Sequence, residues 1–93
     1  MRADELTDYV SNALRGDRKS YGSLIAPYVK IAPTIAEYLE APIKPEQIAI
    51  TKAIDAIMAT QNSRNINHFI DAVIYLAIAC ELATEDYSDL DRA

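Results

Sequence analysis

Residues 67–80 read NHFIDAVIYLAIAC, and how this stretch folds decides the architecture of the whole chain. It predicts a helix from about His68 to Ala83, capped by Asn65 or Asn67, that is apolar on nearly every side. A helix apolar all round belongs in the centre of a bundle or across a subunit interface. The run contains an aspartate and is too short to be read as a bilayer span.

Asp71 is the informative residue of this helix, because the side chains around it are ones a fold buries. A lone buried carboxylate is costly and needs a partner or a proton. Lys52, Arg64, His68 and Tyr75 are the candidate partners, Tyr75 lying one turn along the same helix. Asp71 is thus either a structural pairing between bundle helices or, with Tyr75, a polar stripe that serves a ligand. Cys80, in the same apolar run, is expected to be a buried, inert thiol; alone, it forms no internal disulfide.

Outward from this helix, TQNSRN (60–65) reads as a loop, and EAPIKPEQ (40–47) as a break that ends at a helix start. Pro45 followed by Glu46 suits a first helical turn. The third helix carries Ile48, Ile50, Ile54, Ile57 and Met58 and ends near Thr60. Ahead of it, Ser23 caps a second helix with Leu24, Ile25, Tyr28, Val29, Ala32, Ile35, Ala36 and Leu39. Pro27 is near its start; Pro33 is interior, removes a backbone hydrogen bond and is expected to bend it. Leu6, Tyr9, Val10, Ala13 and Leu14 predict a first helix over residues 4–14, with Gly16 as its stop. RGDRKSYG (15–22) then becomes the exit loop of that helix, and TEDYSDLDRA (84–93) an acidic, frayed tail. The expectation is one all-α domain over residues 1–93, a compact bundle of about four helices with the second kinked at Pro33. At this length a monomer buries only a modest core, so a homo-oligomer is expected.

The chain has 51% apolar residues and a net charge of −5, which is not a disordered composition. Without a broad basic face, binding to duplex nucleic acid or to an anionic membrane is not expected. No apolar segment of secretory type opens the chain, and a cytoplasmic protein is the expectation. One histidine with scattered acids is not a metal signature, so no metal and no cofactor are expected. Lys52 and Asp55 share a face of the third helix and are read as a solvated face. The RGD tripeptide is taken as chance.

The order of GDRKSYG, KIAPTIAEYL, PIKPEQIAI and NHFIDAVIYLA resembles a family of small helical phage and prophage proteins of unassigned function. The likeness spans roughly residues 14–82. The family in turn is similar to helical domains associated with phage nucleotide modification, and distantly to MazG-like all-α nucleoside triphosphate pyrophosphatases. Gly16, Asp17, Arg18, Tyr21 and Gly22 match its opening motif, and Asp71 and Tyr75 its closing helix. Ala56 and Ala59 stand where the resemblance implies basic residues on the third helix. The EExxE pattern of the pyrophosphatases is also missing from EQIAITKAIDA (46–56), so hydrolysis by that mechanism is not expected.

Three functions follow. The first is a non-catalytic, phage-type protein that binds a small anionic nucleotide, a counter-defence sponge for a cyclic or ADP-ribose-like signal. Its site is Arg15, Arg18 and Lys19 with Tyr21 to stack on a base and Gly22 to allow close approach. Arg64, Asn65 and Asn67 form an opposite lip, and Lys52, Asp71 and Tyr75 complete the site. The second is a helical homo-oligomeric interaction module. The third is a diverged pyrophosphatase using Asp71, Asp55 and Glu81 with magnesium.

Overall fold

The computed structural model describes residues 1–86, and helices are the regular elements found there: α1 (Ala3–Tyr21), α2 (Ala26–Leu39), α3 (Pro45–Ala59) and α4 (Ile66–Thr84). The acidic tail expected to fray lies, from residue 87 on, outside the described residues.

The fold is organised by the α3–α4 hairpin. Pro45 occupies the first turn of α3, and the Lys44 N–H donates to Gln47 Oε1 at 2.8 Å. Asn65 caps α4, its Oδ1 accepting from the Asn67 N–H at 2.9 Å. Between the helices, Ala49 and Ala53 are fully buried, and Ala72 and Ala79 nearly so. Small side chains at these positions let two helices approach closely, and this pair makes the most extensive contact in the fold. The six-residue connection 60–65 returns the chain antiparallel, which sets Lys52 against Tyr75 and brings Asp55 and Asp71 to one groove.

α2 lies on α3, and α1 on α4. The core joins Ile25 and Val29 of α2's beginning, Ala49 of α3, and Ile78, Ala79 and Leu82 of α4. Leu14, Tyr28 and Ile74 pack against it. Ser23 Oγ accepts from the Ile25 and Ala26 N–H groups at 3.3 and 3.2 Å, but the N-cap of α2 is Ile25 and not the serine. Pro33 sits inside α2, which runs unbroken to a left-handed Glu40 with φ of 55°.

Three sequence expectations need correction. α1 does not stop at Gly16 but continues to Tyr21, so RGDRKSYG is the end of a helix and not a loop. Glycine in a helix interior costs only about 1 kcal/mol relative to alanine. Asp4 and Glu5 in the first turn and Arg18 and Lys19 in the last complement the helix dipole. The residue that ends the helix is Gly22, at φ 84°, whose N–H donates to the Arg18 carbonyl at 3.0 Å.

Asp71 and Cys80, second, are both exposed, and among the described residues no polar or charged side chain is buried. α4 is strongly apolar, yet only part of its circumference is covered, so Asp71 reaches water while its other carboxylate, Glu81, meets Arg18. Third, α4 is 19 residues long with a mean hydropathy of 1.5, which meets the length and composition of a membrane span. Packing against α3 accounts for its small-residue side and leaves another side of it bare.

Candidate functional site

The residues proposed for a nucleotide site fall into three separate places. The first is the end of α1. Arg15, Lys19 and Tyr21 project from its last turns into solvent, Tyr21 being 83% exposed. Arg18 points instead across to α4, where its Nη2 donates to Glu81 Oε1 at 2.5 Å. The cations of this stretch therefore sit at the negative end of a helix dipole, and one of them is already ion-paired. An anion finds a less favourable field here than the basic count suggests.

The second place is a groove of about 330 Å³ between α3 and α4, lined by Lys52, Asp55, Ala56, Asp71 and Tyr75. The Lys52 ammonium lies 5.6 Å from the centroid of the Tyr75 ring, within the range of a cation–π contact. Tyr28 is close behind. Burial raises its pKa above 10.0, with a smaller contribution from Tyr75. Lys52, Asp71 and Tyr75 are thus brought together, as the sequence implied, and Asp55 with them. The groove is open, its two carboxylates outnumber its one ammonium, and Asp71 makes no ion pair among the described residues. Glu81 is about 15 Å further along α4 by helix rise, on Arg18, so the carboxylate trio of a pyrophosphatase does not converge. No group of three metal-ligating side chains gathers among the described residues.

The third place holds Arg64 and Asn65, in the loop before α4. Asn65 is occupied as the α4 cap. Arg64 lines a cavity of about 380 Å³ with Arg2 and Leu6 of the α1 start and Ile66 and Phe69 of the α4 start. Since Leu6 lies by Ile66 and Phe69 while Arg18 reaches Glu81, α1 and α4 run parallel. About 24 Å of helix rise separates Arg2 from Arg18. Arg64, Asn65 and Asn67 therefore cannot be a lip opposite Arg15–Gly22: they lie at the other end of the helix pair.

A feature the sequence reading did not isolate is the reverse side of the hairpin. Ile50, Ile54 and Ile57 follow Ala49, Ala53 and Ala56 by one residue, and so stand about 100° round α3 from the seam. They are 40%, 49% and 46% exposed. On α4, Phe69, Val73, Leu76 and Cys80 hold the corresponding flank, with Phe69 and Leu76 nearly half exposed. The charged residues Lys52, Asp55 and Asp71 all lie on the opposite flank. The isoleucine stripe was visible in the sequence at helical spacing; the adjacent alanine stripe was the signal that it faces outward.

No family model, curated protein or solved structure matches the chain.

Proposed function

We propose that this protein is a small helical interaction module whose working form is a homodimer built on the reverse face of the α3–α4 hairpin. The observation that carries this reading is the run of half-exposed Ile50, Ile54, Ile57, Phe69 and Leu76 with no charge among them. A second copy suits the face because both helices present the same kind of stripe. A two-fold axis then sets α3 of one copy on α4 of the other. Ile50 to Ile57 and Phe69 to Leu76 each cover about 10 Å of helix rise, so the face is about 20 Å wide and about 10 Å long. This is smaller than a standard interface and fits a weak, reversible dimer.

Covering the exposed half of five large apolar side chains on each copy contributes roughly 10 kcal/mol gross. With an association cost of about 4 kcal/mol, the low end of its range, the dissociation constant is in the tens of micromolar, which is its tightest limit. Nucleotide sequestration by Arg15, Arg18, Lys19 and Tyr21 has less support, because Arg18 is engaged and the opposing residues lie elsewhere. A phage connection rests on the motif resemblance alone.

Sedimentation velocity across the micromolar range tests the proposal. A concentration-dependent dimer that Ile54→Glu or Leu76→Glu abolishes, with helicity retained, is the expected result. A monomer at every concentration sinks it. So does partition of the wild-type chain, but not of Leu76→Glu, into phosphatidylcholine vesicles, which would make lipid the occupant of the face.

A further inference from the structure

The cavity where α1 and α4 begin is lined by two arginines and by apolar side chains. Its lining is apolar at Met1, Ala3, Leu6, Ile66 and Phe69, and the arginines among its lining residues are Arg2 and Arg64. Arg2 is loosely engaged: its Nε lies 3.9 Å from Asp4 Oδ1, and both side chains are more than three-quarters exposed. Such a pair is weak and readily exchanged for a better acceptor. Glu5 is turned to the helix start, accepting from the Arg2 backbone N–H at 3.2 Å. Arg64 has no ion pair or hydrogen bond among the described residues.

We infer that this cavity binds a small amphiphilic anion: a planar aromatic body carrying one phosphate or carboxylate. Phe69 supplies a flat ring for the body, and Leu6 and Ile66 flank it with aliphatic surface. The guanidinium of Arg64 offers parallel N–H donors that match either oxyanion, and Arg2 offers a second fork once it releases Asp4. The volume of about 380 Å³ is near the lower end for small-molecule sites, the size for a body of one or two rings. The apolar concavity of Pro27, Tyr28, Ile31, Ile35 and Ile48 also has an aromatic ring and a cation, but that cation is the Lys52 ammonium, a point charge without the guanidinium fork. Neither the basic end of α1 nor the groove of Lys52, Asp55 and Asp71 combines floor and cation. The first has cations without a floor, and the second has more carboxylate than ammonium. The site shares Phe69 with the proposed dimer face, so a dimer that covers this ring competes with the ligand, and the site is tested in the monomeric protein.

The test uses the full chain, isotopically labelled, in a Leu76→Glu background that removes the dimer face from play. Naphthyl phosphate, naphthoate, neutral naphthol and inorganic phosphate are titrated separately and followed by amide chemical shifts. The expected result is saturable binding of naphthyl phosphate or naphthoate with shifts centred on Leu6, Ile66 and Phe69. Which of the two binds more tightly identifies the headgroup. Naphthol and inorganic phosphate should each bind at least about tenfold more weakly, and Arg64→Gln should weaken the anion about tenfold. Arg64→Gln and Arg2→Gln change exposed side chains and leave the fold as a control by circular dichroism. Equal binding of naphthol, unchanged affinity in both arginine variants, or shifts centred on Lys52 and Tyr75 would each overturn the assignment.

Discussion

Arg18 of α1 and Glu81 of α4 form an ion pair with Nη2 to Oε1 at 2.5 Å, a polar tie between the first helix and the rest of the bundle. Apart from it, α1 holds on through a narrow apolar seam centred on buried Val10 and half-buried Leu14. Arg18 is 56% exposed, so solvent screens the pair strongly. A double-mutant cycle with Arg18→Ala and Glu81→Ala should give a coupling below about 1 kcal/mol by urea unfolding. Amide exchange is expected to show α1 opening before the α3–α4 hairpin, and more readily still in Arg18→Ala. Equal protection of α1 and α3 would refute this.

Gly16 and Gly22 should respond oppositely to alanine. Gly16 lies mid-helix with nothing within 4 Å of the position a Cβ would take, so Gly16→Ala should stabilise by up to about 1 kcal/mol. Gly22 sits at φ 84° and ψ −136°, a backbone region an L side chain rarely adopts. Gly22→Ala should therefore destabilise by about 1 kcal/mol or more. Thermal melts of the two variants read both signs.

That pair of glycines also shows what was legible in the sequence and what was not. Four helices, the Asn65 cap and the Pro45 start follow from local chemistry: each depends on a few adjacent residues, and each is present. Ser23 accepts from the Ile25 and Ala26 N–H groups, but the N-cap of α2 is Ile25. Which of two glycines ends a helix depends on cooperative continuation and on dipole-complementing charges up to a full helix apart, and the first glycine was the wrong choice. Asp71 and Cys80 were placed in the interior because α4 is apolar almost all round. Their exposure depends on how many neighbours cover that helix, a tertiary quantity that no window of sequence contains. The convergence of Lys52, Asp71 and Tyr75 was legible, since an antiparallel hairpin with a short connection leaves little choice of register. The separation of Arg64 from Arg18 was not, because it depends on α1 running parallel to α4.

Stability should fall at alkaline pH through Tyr28. Burial raises its folded pKa above the 10.0 of an exposed tyrosine, with Tyr75 adding to the shift. The folded state therefore holds its proton where the unfolded state gives it up. The corresponding stability is fully present below pH 10.0 and is lost as pH rises from there through the folded pKa. Denaturant unfolding on either side of that pH should show a decline that is smaller in Tyr28→Phe. An equal decline in the two proteins would exclude Tyr28 as its source.

Cys80 should be reactive in the native protein. It is exposed on the same flank of α4 as Leu76. A thiol-disulfide reagent should titrate one thiol in dilute native protein at nearly the rate found in denaturant. Protection that grows with protein concentration, and disappears in Ile54→Glu, would follow from the dimer proposed above; protection independent of concentration would mean that Cys80 is covered within one chain.

The sharpest test of the hairpin compares neighbours in sequence, Ala53 and Ile54. Ala53 is fully buried in the α3–α4 seam, whereas Ile54 is 49% exposed on the outer flank. Ala53→Leu adds a branched side chain where two helices meet over small residues, and overpacking of this kind costs about 1 to 3 kcal/mol. Ile54→Ala removes a larger group but leaves little cavity, so in dilute solution it should cost less than about 1 kcal/mol. The usual expectation, that losing an isoleucine harms a fold more than enlarging an alanine, is thus reversed at this step of α3. At protein concentrations where the dimer forms, the Ile54→Ala loss should grow, because the same side chain is then covered from outside. Urea midpoints measured for both variants at two protein concentrations separate seam from face. If Ile54→Ala is the more damaging change even in dilute protein, the alanine stripe is not the line along which α3 meets α4.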